Sequence, residues 1–297
     1  MTPSFVRLAP VALLVAGLFG CASKPEPPMV AVTSTSSSTA TSTVTTVAPL
    51  SRAQIDAIVA SPDRSAADRT NDQRRHPEDL LMFIGVKPGW TALDVSTGGG
   101  YTTELLARAI GPTGIVWAQS RGPSSASPKP AAPEGGAAAM PAAQRTAADM
   151  LAARSASMKA AGVAAAPIAY VARSYDDPVP PEVANGQLDL VTLMFNYHDF
   201  GFMNVSRAQT NAAVFKALKP GGLYVIADHA GRPGTGISES GTLHRIEESF
   251  LRAEVEAAGF KLLAEGDFLR NPSDPRNLNT PNPSQPKDAF VLKFVKP

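Results

Sequence analysis

The sequence predicts an α/β protein with a mostly parallel seven-stranded sheet, helices on both faces and an antiparallel edge strand. Three observations point there. Strand patterns and helix patterns alternate over five units. The run LDLVTLMF at 188–195 is apolar but for Asp189 and Thr192, as in strands that helices cover on both sides. The last two strand patterns are linked by a Pro- and Asn-rich stretch with no helix, which favours an antiparallel pair.

The chain opens MTPSFVRLAPVALLVAGLFGC, with a cation at Arg7, an apolar run from Val11 to Phe19 and the only cysteine at Cys21. That run is shorter than the roughly 20 residues of a spanning helix. Residues 1–20 therefore read as a lipoprotein-type export signal, with Cys21 as the lipid anchor and no transmembrane helix in the mature chain. Ala22, which is not the aspartate of inner-membrane retention, favours the outer membrane, periplasmic face. Residues 21–50 are Ser-, Thr- and Pro-rich and too poor in large apolar groups to fold, so they read as a flexible tether. The folded domain is expected over 51–297.

A helix is expected after Ser51 and another at Pro77, which suits a first helical position. Between them, Arg64 to Arg75 reads as a solvated, salt-bridged helical face, or alternatively as a lid over a pocket. The first strand is Thr91 to Val95, and YTTELLARAIG carries helical spacing with a glycine C-cap. Ile115 to Gln119 is the second strand. Residues 121–142, nearly all Pro, Ala, Ser and Gly, read as a disordered surface insertion. Helical pattern resumes up to Gly162, a third strand follows at Ile168 to Ala172, and the fourth is LDLVTLMF. RAQTNAAVFKAL is helical, LYVIAD is the fifth strand, and a helix through TLHRIEESFLRAEVEAAG starts at Thr242 as N-cap. FKLLAEGDF and DAFVLKFVKP close the sheet.

Twenty-seven Lys and Arg stand against twenty-six Asp and Glu, with no long basic run, so nucleic-acid binding has no electrostatic support. No repeat of solenoid or propeller length is present.

The motifs LDVSTGGGYTTELLA, MFNYHDF, LKPGGLYVIADH, LHRIEESFLRAEVEAAGF and FVLKFVKP occur in that order. Through them residues 77–297 resemble a class I S-adenosylmethionine (SAM)-dependent methyltransferase with its Rossmann-like three-layer fold. They are particularly similar to a branch of predicted bacterial methyltransferases that carry export signals. The resemblance implies SAM as cofactor and methyl transfer to a small-molecule or envelope acceptor.

In that family an acid precedes Gly-x-Gly-x-Gly; here the acid is Asp94 and the glycine positions are Ser96, Gly98 and Gly100. Glycines let a backbone turn sharply and approach a ligand. The family's ribose-binding acid is replaced by Gln119 and Ser120, neutral partners that bond more weakly than an ionised one. Weakened or altered cofactor binding follows, and the same absence counts against NAD. Ligands of open α/β sheets sit beyond the carboxyl ends of the strands. The loop from Ser96 to Tyr101 lies there; the resemblance also implies Tyr175 or Asp176 near the adenine and Asn196 near the methionine portion, with His198 and Asp199 facing the acceptor.

Methyl transfer is a displacement that alignment alone can accelerate, and a hydroxyl or amine acceptor is helped by a base. His198 is the first choice for that base and His229 the second; the bland alternatives are a backbone hydrogen bond for His198 and a pair with Asp228 for His229. His244 is expected in the first turn of its helix, where it stays neutral. Three of the histidines, with Asp199 and Asp228, fall in loops that could converge on a metal, but no short ligand spacing supports one and none is assigned. Export conflicts with a cofactor made in the cytosol. Two further readings therefore stay open: a catalytically degenerate methyltransferase-fold binding module and, more remotely, a metal-dependent hydrolase.

Overall fold

The computed structural model describes residues 47–122, 146–281 and 283–297. The signal at 1–20, Cys21, the tether up to residue 46 and all of the 121–142 insertion beyond Gly122 lie outside the described residues.

Helices α1 (Arg52–Val59), α2 (Ala66–Arg75) and α3 (Pro77–Ile84) precede the sheet. Ser51 caps α1 through a capping box with Gln54, and Pro77 stands in the first turn of α3. The strands and helices then alternate: β1 (Thr91–Val95), α4 (Tyr101–Ile110), β2 (Ile115–Ser120), α5 (Ala147–Ala160), β3 (Ile168–Ala172) and β4 (Leu188–Met194). A four-residue helix α6 (Asp199–Phe202), then α7 (Arg207–Ala217), β5 (Leu218–His229), α8 (Glu248–Ala257), β6 (Lys261–Gly266) and β7 (Ala289–Val295) complete the chain.

The seven strands run in the order β3-β2-β1-β4-β5-β7-β6. β1 to β5 pair in parallel, while β7 is antiparallel to both of its neighbours and sits one place in from the edge. This is the expected fold class, the strand arrangement of the methyltransferase Rossmann-like fold. The helix-free link between the last two strands makes them an antiparallel pair, as its length and composition imply.

Two apolar layers sandwich the sheet. Leu93, Val95, Leu193 and Ile226 face Val214, Leu251 and Val255 of α7 and α8, and Ala92, Leu190 and Val225 face Leu81, Leu105 and Leu106 of α3 and α4. Strand side chains alternate between faces, so this division puts Asp94 on the α4 side, where it meets Thr103.

Two expectations fail. Thr242 caps nothing: the helix begins six residues later, because Arg245 and Ile246 are drawn out of helical register. The Arg245 guanidinium, fully buried, bonds the Ala230 and Leu278 carbonyls and Asp274, while Ile246 bridges Ala230. His244 is thus not in a first helical turn but in a left-handed backbone conformation, φ 51°. Nor is Arg64 to Arg75 solvated on all sides: Arg69, Thr70, Gln73 and Arg74 are exposed on a salt-bridged helix as expected, but its inner side is buried. Arg64 is buried and forks onto Asp72 at 2.6 and 2.8 Å, and Asp68 is buried against Arg154 at 2.6 Å.

Candidate functional site

β1 ends in a turn that three left-handed residues shape: Ser96 at φ 58°, Gly98 at 54° and Gly100 at 80°. Ser96 thus adopts the conformation its glycine counterpart would take freely, at a strain on the order of 1 kcal/mol. The two glycines serve different ends. A Cβ on Gly98 would meet no atom within 4 Å, so this residue faces open space. A Cβ on Gly100 would lie 2.7 Å from the Leu151 side chain, so this glycine admits α5 to the turn.

Asp94 is 2 % exposed, and its carboxylate accepts from Thr103 at 2.6 Å and Thr192 at 2.8 Å. Burial pushes its carboxyl up, against the pull of these hydroxyls and that of Thr97. It fastens β1 to β4 and α4, and both oxygens are spent inside the protein.

The strand order reverses between β1 and β4, which is where open α/β sheets bind ligands. A crevice of about 160 Å³ opens there, lined by Ser96, Gly98, Tyr101, Asn196, Asn71 and Arg75 among others. The sequence therefore brings Asp94, Ser96, Gly98, Tyr101 and Asn196 together. Its other candidates lie beside the crevice with their polar atoms engaged. Gln119 is fully buried, accepting from the Ser96 amide at 3.0 Å and donating to the Arg173 carbonyl at 2.7 Å. Ser120 shares a 3.0 Å hydrogen bond with Tyr170. Tyr175 stacks on Phe200 with ring centroids 4.9 Å apart and its hydroxyl accepts from Ser96 Oγ at 3.4 Å. Asp176 accepts the Ser206 amide at 2.6 Å, at the start of α7.

The outer wall is α2, part of the stretch for which a lid over a pocket is the alternative sequence reading. Tyr101 donates to Asp72 at 2.6 Å, and Arg154 reaches the Gly99 carbonyl at 2.6 Å while pairing with Asp68 and Glu104. Arg108 pairs with Glu104 and Asp63, which pulls the Asp63 carboxyl down to about 2. Arg75 closes the helix differently. Its guanidinium lies 3.7 Å from the centre of the Phe195 ring, and among the described residues no carboxylate pairs with it. Burial lowers its pKa to about 10.

Beyond Arg75 lies a larger cavity of about 740 Å³. Arg74, Arg75, His76, His229, Arg270 and Lys287 line it alongside Phe195 and Phe268, and among the described residues its lining holds no Asp or Glu. Arg270 is paired with Glu248, whereas Lys287 donates to the Leu243 carbonyl and Asn279 Oδ1.

The imidazoles gather beside this cavity. His198 Nδ1 is 2.6 Å from Asp228 Oδ1 and its Nε2 is 2.9 Å from Asp199 Oδ1. Burial opposes charge on His198, but the Asp228 carboxylate and the Asp199 hydrogen bond outweigh it and raise the imidazole to about 9. At about 9 the His198 imidazole is protonated at neutral pH, unlike a free general base. His229 is the opposite case: burial, then the charge of Lys287, push it down to about 2, and its Nδ1 is buried without a partner among the described residues. It does not pair with Asp228 through its ring; Asp228 Oδ1 accepts its amide at 2.7 Å. His244, which the sequence places in a first helical turn and among the histidines that could converge, joins the group with Nδ1 3.3 Å from Asp199 Oδ1.

No family model matches the sequence, and no curated protein matches it. Solved structures do. A SAM-dependent methyltransferase from Aquifex aeolicus is 16 % identical, aligned over 84 % of this chain and all of its own, with a TM-score of 0.49. A putative sarcosine dimethylglycine methyltransferase from Galdieria sulphuraria is 15 % identical over 78 % of this chain and 86 % of its own, TM-score 0.48. The [4+2]-cyclase SpnF is 14 % identical over 85 % and 98 %, TM-score 0.48. Likeness at this level carries nothing about reaction or substrate.

Proposed function

We propose that this protein is a SAM-dependent methyltransferase acting on an anionic acceptor. The observation that carries the reading is the pair of chambers that Arg75 lines on both sides: a crevice floored by the open Gly98 at the sheet's switch point, and a larger cationic cavity next to it.

The residues present fit the cofactor at one end. The bare turn at Gly98, facing Asn196 across the crevice, suits its methionyl portion. The adenosyl end is crowded, because Gln119 and Tyr175 are bonded to the protein and about 160 Å³ falls below the roughly 300 Å³ at which ligand pockets begin. Entry of the whole cofactor therefore requires Tyr175 to leave Phe200, or Asn71 and Arg75 to swing outward.

SAM supplies an electrophilic methyl group when bound. The chain's own part is to hold an acceptor against it in a water-poor cleft, where alignment is worth several kcal/mol of barrier. Arg75 and Lys287 favour the ionised form of an acidic acceptor, a carboxylate or phenolate, so no separate base is needed. Phe195 and Phe268 offer that acceptor an apolar wall.

The reading includes export and lipid attachment at Cys21, supported by the spacing of Arg7, the apolar run and the lone cysteine. No described helix is long and apolar enough to cross a membrane. A second reading, a methyltransferase-fold module without turnover, is favoured by one observation: Asp94, Gln119 and Ser120 all spend their polar atoms inside the protein.

Calorimetry of the full-length chain with SAM and S-adenosylhomocysteine separates the two. Micromolar binding lost in Gly98→Leu supports the enzyme; no binding at millimolar cofactor rejects it in favour of the module. Mass spectrometry of membrane-extracted protein tests the anchor: a chain beginning at acylated Cys21 supports it, and one retaining Met1 refutes it.

A further inference from the structure

His198, Asp199 and His244 come from two separate places: the adjacent pair at the start of α6, just beyond β4, and the stretch before α8. Their ligand atoms nevertheless lie within 4.8 Å of one another. We propose that these three residues form a binding site for a divalent transition-metal ion of the zinc or cobalt kind. The inference goes beyond methyl transfer and does not depend on SAM.

Two of the three ligand-atom separations are close to those of a coordination shell, and the third is within 4.8 Å. With metal–ligand bonds of about 2.0–2.1 Å, the edges of a tetrahedron are about 3.3 Å long. His198 Nε2 to Asp199 Oδ1 is 2.9 Å, and Asp199 Oδ1 to His244 Nδ1 is 3.3 Å. Two imidazoles and one carboxylate suit zinc, cobalt or iron better than magnesium or calcium, which prefer oxygen alone.

Each ligand is also held from behind, as bound metals require of their outer partners. Asp228 Oδ1 takes His198 Nδ1 at 2.6 Å, which directs the Nε2 lone pair of the neutral ring into the cluster. Asn196 Nδ2 donates to Asp199 Oδ2 at 2.8 Å and leaves Oδ1 for the ion. The Phe202 ring meets His244 edge-on at 5.5 Å. His244 keeps a left-handed backbone that a histidine adopts only at a cost, and its side chain is 39 % exposed, so core packing does not explain its position.

Three protein ligands are the number found in catalytic rather than structural zinc sites, and they leave a position for water or a substrate oxygen. His198 and Asp199 sit 3 % and one-fifth exposed, so the open position faces outward past His244.

Titration of the purified full-length chain, stripped with chelator, with Co²⁺ tests this through the visible d–d absorption and with Zn²⁺ through calorimetry. One equivalent of each should bind in the micromolar range or tighter. His244→Ala should weaken binding by at least tenfold, and Asp228→Asn by 10- to 100-fold through the loss of its hold on His198. His76→Ala, outside the cluster, should leave it unchanged. Because His244 is partly exposed, its variant should keep the wild-type circular dichroism. Failure to bind at 100-fold excess metal, or binding that His244→Ala does not alter, overturns the site; neither result bears on SAM binding.

Discussion

Asp228 Oδ1 lies 2.6 Å from His198 Nδ1, and Oδ2 of the same carboxylate accepts the His198 amide at 2.8 Å. One fully buried side chain at the end of β5 thereby fixes both the ring and the backbone of the loop leaving β4.

Removing that carboxylate's charge should be costly. Asp228→Asn leaves a buried imidazolium with a weaker partner, and breaking a buried ion pair from one side costs about 3–5 kcal/mol. His244→Ala, at the exposed end of the same cluster, should cost under about 1 kcal/mol. Urea unfolding of the two variants checks the contrast; equal losses would mean that Asp228 does not organise the loop.

His229 makes stability depend on pH. Its folded pKa is depressed from 6.5 to about 2, first by burial and then by Lys287, so the native state binds fewer protons than the unfolded chain. Stability contributed by its neutral form is complete above about pH 6.5 and falls as pH drops below that value, with a slope of up to about 1.4 kcal/mol per pH unit. His229→Gln should flatten the unfolding midpoint between pH 6.5 and 5. An unchanged slope would show that the ring titrates freely in the fold.

Arg75 is placed for binding at the expense of stability. A guanidinium that is desolvated over Phe195 and has no carboxylate partner among the described residues gives up hydration without full return. Arg75→Met should therefore raise stability by about 0.5–2 kcal/mol, as substitutions at functional positions often do. The same variant should lose most of the affinity for carboxylate-bearing aromatic ligands measured by calorimetry. A drop in stability would instead make Arg75 a structural clamp between α2 and β4.

The fold was legible because strand periods are local: Thr91–Val95 and Ile168–Ala172 fall where apolar spacing puts them. The site was legible wherever residues sit at strand ends, since topology alone delivers Ser96, Asn196 and Asp228 to one edge. What escaped depends on partners distant in sequence. Asp72 and Asp68 look solvated until Tyr101 and Arg154 arrive from 29 and 86 residues away. His244 looked helical because nothing nearby in sequence shows that Asp274 and Leu278 will capture Arg245.

The two glycines of the β1 turn provide the sharpest test, because sequence treats them alike and the structure separates them. Both have left-handed backbones, so alanine at either incurs a conformational cost of about 1 kcal/mol. At Gly100 the added methyl also meets Leu151 at 2.7 Å and the Arg154 stem at 3.1 Å, and such overpacking costs a further 1–3 kcal/mol, about 2–4 in all. At Gly98 the methyl enters open space, so stability should fall by only about 1 kcal/mol while cofactor affinity drops. Denaturant midpoints and calorimetric titration of the two variants read both effects. If Gly98→Ala binds SAM as the parent does, the crevice is not where the cofactor meets the turn.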